Sequence, residues 1–117
     1  MKLDVQQRML HPVGVTEKRR LTHDLAAIKA ALASPGTLNR TKVSTRDASV
    51  LGMDAAAVVA VIQALQYPAD FDKSATAHHN PQQWHDSYKP VVDQRTLYLK
   101  FTVDDEGKFL LTSFKEA

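Results

Sequence analysis

Apolar and polar residues alternate with a period of two near the end of the chain, and this pattern constrains the fold more than any other feature. The apolar members are Leu97, Leu99, Phe101 and Val103, and the polar members between them are Tyr98, Lys100 and Thr102. A period of two indicates a β-strand with one buried face and one face in water. A second apolar run follows a short polar segment, so we predict a β-hairpin.

The polar residues 104–108 predict the turn of this hairpin, because Gly107 adopts positive φ at low steric cost. A two-residue loop of Glu106 and Gly107 predicts the pairs Asp105–Lys108, Val103–Leu110, Phe101–Thr112 and Leu99–Phe114. On the other face the same register pairs Tyr98 with Lys115, with Cβ atoms about 5 Å apart. This pair is a candidate anion site, although most such residues only keep a sheet face soluble.

The overall composition indicates a single domain. The chain has 117 residues, which suffices for a hydrophobic core, and it has no cysteine, which excludes disulfides and thiolate metal sites. It lacks both a run of about 20 apolar residues and the apolar centre of a signal peptide. We therefore expect a cytoplasmic protein that does not associate with membranes. Residues 1–16 show no periodicity and are predicted to be a flexible extension, with residues 17–117 as the domain.

Positive charge is concentrated in the first half of the chain. Residues 1–50 contain nine Lys or Arg against four Asp or Glu, whereas residues 51–117 contain six against nine. The basic residues of interest are Lys18, Arg19, Arg20, Arg40, Lys42 and Arg46. They could contact phosphates, but a short charge run is more often a solvated face.

Helices are predicted in the first two thirds of the chain. Apolar residues from Leu21 to Leu32 recur at helical spacing and predict a helix over about 22–33. The segment "TLNRTKV" (residues 37–43) could be an edge strand. Ser44 is predicted to cap a short helix that ends at Gly52. Asp54 is predicted to cap an apolar helix that Pro68 ends.

Strands are predicted from residue 70 onward. The segments are "DFDKSATAH" (70–78), the loop "HNPQQ" (79–83), "WHDSYKP" (84–90) and the final hairpin. Helices followed by strands indicate an α+β domain with an antiparallel sheet.

The common catalytic motifs are missing from the sequence. It has neither a glycine-rich phosphate loop nor a recognisable nucleophile elbow. His78, His79 and His85 do not have the spacing of a metal site, so we expect neither a metal nor a cofactor. Lys, Tyr and His side chains that project from strands can nevertheless cleave RNA without a metal. The 2′-hydroxyl already lies beside the phosphorus and needs deprotonation, charge stabilisation and leaving-group protonation.

Four sequence elements resemble a known family. "DFDKSATAHHNPQQWHDSYKP", "LYLKFTV" and "SFKEA" resemble the motility quorum-sensing regulator (MqsR) toxins, and the resemblance extends back over residues 17–117. The elements Asp-Phe-x-Lys-Ser, Trp-x-Asp-x-Tyr-x-Pro, Tyr-Leu-Lys and Ser-Phe-Lys-Glu occur in the family's order. The resemblance implies a RelE-like α+β fold, with N-terminal helices packed on a twisted antiparallel sheet formed mainly by the C-terminal half.

The resemblance also implies an activity and partners. Members of this family are mRNA interferases, the toxins of type II toxin–antitoxin systems, and they inhibit translation by cleaving mRNA. A cognate antitoxin protein neutralises the toxin. In the family the antitoxin carries the DNA-binding domain, so we expect no direct DNA binding by this chain alone.

The matching motifs imply the catalytic residues Lys73, Tyr98 and Lys115, and two of these form the pair that the hairpin register predicts. The position after the Trp is Gln in a known member of the family and His85 here. We expect Lys73 and Lys115 to stabilise phosphate charge and Tyr98 to orient a phosphate oxygen or donate a proton. His85 titrates near neutral pH and could be the general base or acid, or simply a surface histidine.

Further residues could bind RNA. Lys89, Arg95 and Lys100 are predicted to contact the RNA backbone, with a solvated role as the alternative. Trp84 and Tyr88 share a strand face and are expected in the core rather than under stacked bases. The alternative function for the whole chain is a non-catalytic RNA-binding or regulatory module on the same fold.

Overall fold

The computed structural model describes residues 15–117, so the prediction for residues 1–16 lies almost entirely outside the described part. The helices are α1 (Leu25–Ala31), α2 (Lys42–Val50) and α3 (Ala55–Ala64), with a 3₁₀ turn at Pro35–Thr37. The strands are β1 (Glu17–Lys18), β2 (Phe71–Ala77), β3 (Asn80–Tyr88), β4 (Val91–Val92), β5 (Arg95–Val103) and β6 (Phe109–Glu116). The three helices precede all strands except β1, and the strands pair antiparallel in the sheet. This arrangement confirms the predicted α+β class.

The apolar helix α3 begins where the sequence predicts. The carboxylate of Asp54 accepts a hydrogen bond from the Ala57 N–H at 2.9 Å and so caps the helix. Helix α2 stops before Gly52, whose φ of 76° confirms it as a helix terminator. Within residues 15–117 no single helix is long and apolar enough to cross a membrane, although α2 and α3 together, bent at their junction, meet the length and composition criteria.

Two predictions for the segment before α3 are wrong. Thr41 rather than Ser44 caps α2, and its side chain accepts from the Ser44 N–H at 3.1 Å. Ser44 is buried inside the helix, where its hydroxyl donates to the Leu111 carbonyl oxygen at 3.2 Å. The edge strand predicted at residues 37–43 is reduced to a single parallel bridge between Arg40 and Leu111. The 3₁₀ turn before it and α2 after it leave no room for a longer strand.

The sheet has the order β1-β2-β3-β5, with β6 on the other edge of β5. The β2–β3 turn consists of His78 and His79, so β3 begins at Asn80 and the loop predicted at residues 79–83 is wrong. Strand β4, which the sequence pattern did not predict, joins β5 through Asp93 and Gln94. These two residues have φ values of 50° and 69°, a turn conformation usually formed by Asn or Gly.

The predicted register of the β5–β6 hairpin is correct only away from its turn. The pairs Leu99–Phe114 and Tyr98–Lys115 are confirmed, whereas Phe101 pairs with Leu111 and Val103 with Phe109. The loop contains residues 105–107 rather than two residues, since the Asp104 N–H donates to the Lys108 carbonyl oxygen at 2.8 Å. The longer loop shifts the pairs near the turn by one residue from the predicted register. A bulge in β6 then shifts the pairing by one residue in the opposite direction. The two shifts cancel, so the far pairs keep their predicted register.

The hydrophobic core lies between the helices and one face of the sheet. Its fully buried members include Ile28, Val58 and Ile62 from the helices and Leu97, Leu99, Phe101 and Phe114 from the sheet. Because side chains alternate along a strand, the residues between these sheet positions lie on the opposite side. We call that side the open face, and it comprises Lys73, His85, Ser87, Tyr98, Lys100, Ser113 and Lys115.

The turn of the β5–β6 hairpin provides a test of the fold. Gly107 has a φ of 80°, and a Cβ there would meet no atom within 4 Å. Gly107→Ala should therefore destabilise the protein only through the unfavourable positive φ of alanine, without a steric clash with other residues. We expect about 1–2 kcal/mol less free energy of unfolding, measured by urea denaturation. Gly36→Ala is the control, because its backbone needs no positive φ, and should change stability by at most about 0.5 kcal/mol. Equal effects of the two changes would contradict this assignment.

Candidate active site

The β5–β6 hairpin places Tyr98 and Lys115 directly opposite each other on the open face. The Lys115 ammonium lies 5.8 Å from the centroid of the Tyr98 ring. Tyr98 is half-buried and Lys115 is exposed, so the phenol is held by its neighbours while the ammonium faces solvent. This pair can present one hydrogen-bond donor and one positive charge to a bound anion.

Lys73 reaches the open face from β2 through a β-bulge. Phe71 pairs with Tyr88 and Lys73 pairs with Ser87, so Asp72 is an extra residue between two ladder positions. A bulge of this kind re-aims the side chains beside it and is common next to active sites. Two consecutive residues, Asp72 and Lys73, therefore contact groups on the same side of the sheet.

The ammonium of Lys73 has a defined ionic partner. It donates to the carboxylate of Glu17, in the edge strand β1, at 2.7 Å. This hydrogen bond raises the pKa of Lys73 against the opposing effect of burial, and the charges of Glu17, Asp72 and Tyr98 raise it further. Lys73 is consequently protonated at neutral pH, which suits charge stabilisation and not proton abstraction.

His85 lies opposite Ala75 on the open face. Burial lowers the pKa of His85 below its ordinary value, and interactions with Lys100 and His23 lower it further, against a smaller opposing effect of Asp86. The imidazole is therefore predominantly neutral at neutral pH and can accept a proton.

Lys100 lies between two serines in a row that crosses the sheet. It pairs with Ser87 of β3 on one side and Ser113 of β6 on the other, and Ser87 in turn pairs with Lys73 of β2. Lys100 is half-buried, and burial together with the charge of Lys115 lowers its pKa.

The other two predicted RNA-binding residues do not join this row. Lys89 is exposed just beyond the end of β3, where its ammonium lies 3.9 Å from the carboxylate of Asp72. Arg95 begins β5 and is in phase with the buried Leu97, which places it on the helix-bearing side. The structure thus brings Lys73, His85, Tyr98, Lys100 and Lys115 together and leaves Arg95 apart.

The basic cluster near the start of the described chain is divided between different neighbours. Lys18 covers the ring of Trp84 at 4.3 Å from its centroid, and Arg19 donates to the Asp72 carbonyl oxygen at 3.3 Å. Trp84 is only half-buried and lies outside the core, so the prediction for it is wrong, whereas Tyr88 is fully buried in the core as predicted.

Asp86 is a structural residue that sequence reasoning missed. Its carboxylate is fully buried and accepts hydrogen bonds from the Thr22 N–H at 3.0 Å and the His23 N–H at 2.7 Å. These bonds attach the segment that enters α1 to the strand that carries His85. In the sequence Asp86 appears only as the Asp of the Trp-x-Asp-x-Tyr-x-Pro element, which does not indicate its partners.

Three polar residues near Lys73 were also missed. Glu17 binds the Lys73 ammonium, and the hydroxyl of Ser87 donates to the Asp72 carboxylate at 2.9 Å. The bulge that brings Asp72 toward Ser87 has no counterpart in the hydrophobic pattern, so periodicity could not predict the contact. In the described part of the chain, His, Asp and Glu side chains do not form a group of three that could hold a metal ion.

Comparison with known proteins assigns the chain to a family. The family model described as "Motility quorum-sensing regulator, toxin of MqsA" matches residues 20–116. The chain belongs to the MqsR toxin family. It is 34% identical over 100 residues to the mRNA interferase toxin MqsR of Escherichia coli (strain K12), and the match covers 86% of this chain and 98% of that protein. The resemblance inferred from the four sequence elements is thereby confirmed.

Proposed function

We propose that this MqsR-family chain is the toxin of a toxin–antitoxin system and an endoribonuclease that cleaves messenger RNA and so inhibits translation. Family membership supports the function class. The observation that carries the chemistry is the placement of two ammonium groups, a phenol and a neutral imidazole on one open face of the sheet.

The proposed reaction is an attack of the 2′-oxygen on the adjacent phosphorus. The neutral imidazole of His85 takes the proton of the 2′-hydroxyl as the new O–P bond forms. The bond from phosphorus to the 5′-oxygen breaks, and the phenol of Tyr98 donates the proton that this oxygen needs. The products are a 2′,3′-cyclic phosphate and a 5′-hydroxyl.

The two lysines stabilise the charge that develops on the phosphate. Lys115 lies beside Tyr98, and Lys73 is kept protonated by Glu17. Cationic groups directed at the developing charge contribute more in a partly desolvated site than in water. Lys89 supports binding of the RNA backbone from the margin of the open face.

The direct test is incubation of the purified protein with a defined single-stranded RNA in EDTA, followed by mapping of the product ends. We expect cleavage without added metal, with 2′,3′-cyclic phosphate ends, and a rate lower by about 100-fold or more in Lys73→Ala. Lys108→Ala is the control, because Lys108 is exposed in the hairpin turn and pairs with Glu106 at 3.5 Å. Salt-sensitive RNA binding without cleavage by the folded wild type would instead identify a non-catalytic RNA-binding module.

We also propose that a cognate antitoxin protein binds and neutralises this chain in the cytoplasm, and that the chain alone does not bind DNA. The support is the family description, which names the toxin together with its antitoxin. Expression of the chain should arrest growth, and co-expression of a neighbouring antitoxin reading frame should restore it. Growth arrest that persists in Lys73→Ala would contradict a toxicity that depends on cleavage.

A further inference from the structure

Lys100 occupies the centre of the open face. It lies across from Ser87 on one side and Ser113 on the other, and Tyr98 precedes it by two residues on the same strand. Neighbouring strands are about 4.8 Å apart, so His85 on β3 and Lys115 on β6 flank it diagonally. Its two cross-strand neighbours are serines, so no large side chain lies directly beside it on the adjacent strands.

Within the described part of the chain, Lys100 is half-buried and lacks an ionic partner, unlike Lys73 and Lys89, whereas Lys115, which also lacks one, is exposed to solvent. Lys73 pairs with Glu17 at 2.7 Å and Lys89 contacts Asp72 at 3.9 Å. Among residues 15–117 no carboxylate lies within ion-pair distance of Lys100. The nearby hydroxyl of Ser87 already donates to Asp72. A half-buried ammonium without a counter-ion is unfavourable for folding, and such groups are typical of sites that bind an anion.

We propose that Lys100 is a catalytic residue that binds a nonbridging oxygen of the scissile phosphodiester, between His85 and Lys115. The assignment rests on the proposed endoribonuclease function and adds to it the position of the reacting phosphate. The phosphate contacts the Lys100 ammonium, while His85 on one side meets the 2′-hydroxyl and Tyr98 on the other meets the leaving oxygen. Lys100 is therefore part of the catalytic centre instead of a general contact to the RNA backbone.

The electrostatics of the open face agree with this geometry. Burial and Lys115 both lower the pKa of Lys100, and a bound phosphate would offset both effects with its negative charge. Burial is the largest effect that lowers the pKa of His85, Lys100 and His23 lower it further, and Asp86, the next residue on β3, raises it. Lys100 thus adds to the effect of burial in favouring the neutral imidazole that a general base requires.

The test compares Lys100→Met with Lys108→Met, which removes the same charge from an exposed turn. In RNA cleavage we expect Lys100→Met to lower kcat by about 100-fold or more, and Lys108→Met to change it by less than about threefold. Because the removed ammonium is half-buried and unpaired, the melting temperature of Lys100→Met should be unchanged or higher. A residue that is only structural would lower both activity and melting temperature.

Two measurements on the free protein do not depend on cleavage. In an NMR titration of the His85 imidazole, Lys100→Met should raise the pKa of His85 toward its ordinary value, whereas Lys108→Met should leave it unchanged. Inorganic phosphate, followed by NMR shifts of β5 amides, should bind the wild type and the charge-preserving Lys100→Arg but not Lys100→Met.

The outcomes separate this proposal from the proposed function. If the wild type does not cleave RNA, the endoribonuclease assignment fails, and the phosphate titration still decides whether Lys100 forms an anion site. Phosphate binding retained in Lys100→Met, or cleavage within about threefold of the wild type, overturns the assignment of Lys100.

Discussion

Asp86→Ala is expected to lower the free energy of unfolding by about 2–4 kcal/mol. The carboxylate of Asp86 is fully buried and accepts hydrogen bonds from the N–H groups of Thr22 and His23. Alanine removes the acceptor and leaves both N–H groups without a partner in a part-buried location. Because domains of this size are stable by only about 5–15 kcal/mol, the loss is a large fraction of the total.

The control for Asp86→Ala is Asp54→Ala. Asp54 also accepts a backbone hydrogen bond, from the Ala57 N–H at 2.9 Å, but it does so at an exposed helix terminus. We expect its replacement to cost about 1 kcal/mol, the usual value for an N-cap. Urea denaturation gives both free energies, and hydrogen exchange should show faster exchange of the Thr22 and His23 amides in Asp86→Ala. Equal losses in the two variants would mean that Asp86 does not anchor the segment before α1.

His85→Gln is expected to reduce RNA cleavage at pH 7 by about 100-fold, the lower end of the range for general base catalysis. In the wild type the base is active only when its imidazole is neutral. Since burial, Lys100 and His23 lower the pKa of His85, the rate should rise with pH at values below the ordinary histidine pKa and then level off. Glutamine does not titrate, so the variant should lose this acidic limb of the pH–rate profile.

His79→Gln is the control for His85→Gln, because His79 is exposed in the β2–β3 turn. It should retain both the rate and the acidic limb. If His85→Gln keeps the same profile as the wild type, His85 is not the base and the proton must be taken by another group.

Because the pKa of His85 is lowered in the folded state, the free energy of unfolding should depend on pH. The pH interval concerned lies between the pKa of His85 in the folded protein and the ordinary histidine pKa of about 6.5. In this interval the folded state binds fewer protons than the unfolded state. The stability contributed by the neutral imidazole is therefore complete above pH 6.5 and decreases as the pH falls through that interval. Urea denaturation at several pH values should show a smaller decrease in His85→Gln than in the wild type, and an identical decrease would contradict the assigned environment.

Local patterns along the chain predicted the elements that depend on a few neighbouring residues. Alternation in β5 predicted the strand and, with Gly107, the hairpin, and Asp54 predicted the start of α3. The pair Tyr98–Lys115 was correct because the longer loop and the bulge in β6 shift the register in opposite directions. The pairs nearer the turn were wrong because bulges and three-residue loops depend on how the whole sheet twists and packs.

The sequence by itself determined the α+β class and the family and indicated the candidate residues Lys73, His85, Tyr98 and Lys115, because periodicity and motif spacing are properties of the chain alone. Only the tertiary structure decided which of these side chains share a face and which groups set their charge. The contacts of Lys73 with Glu17 and of Asp86 with His23, together with the central unpaired position of Lys100, join residues far apart in the sequence. Pairing across strands and burial create these contacts, and neither has a local pattern from which it could be predicted.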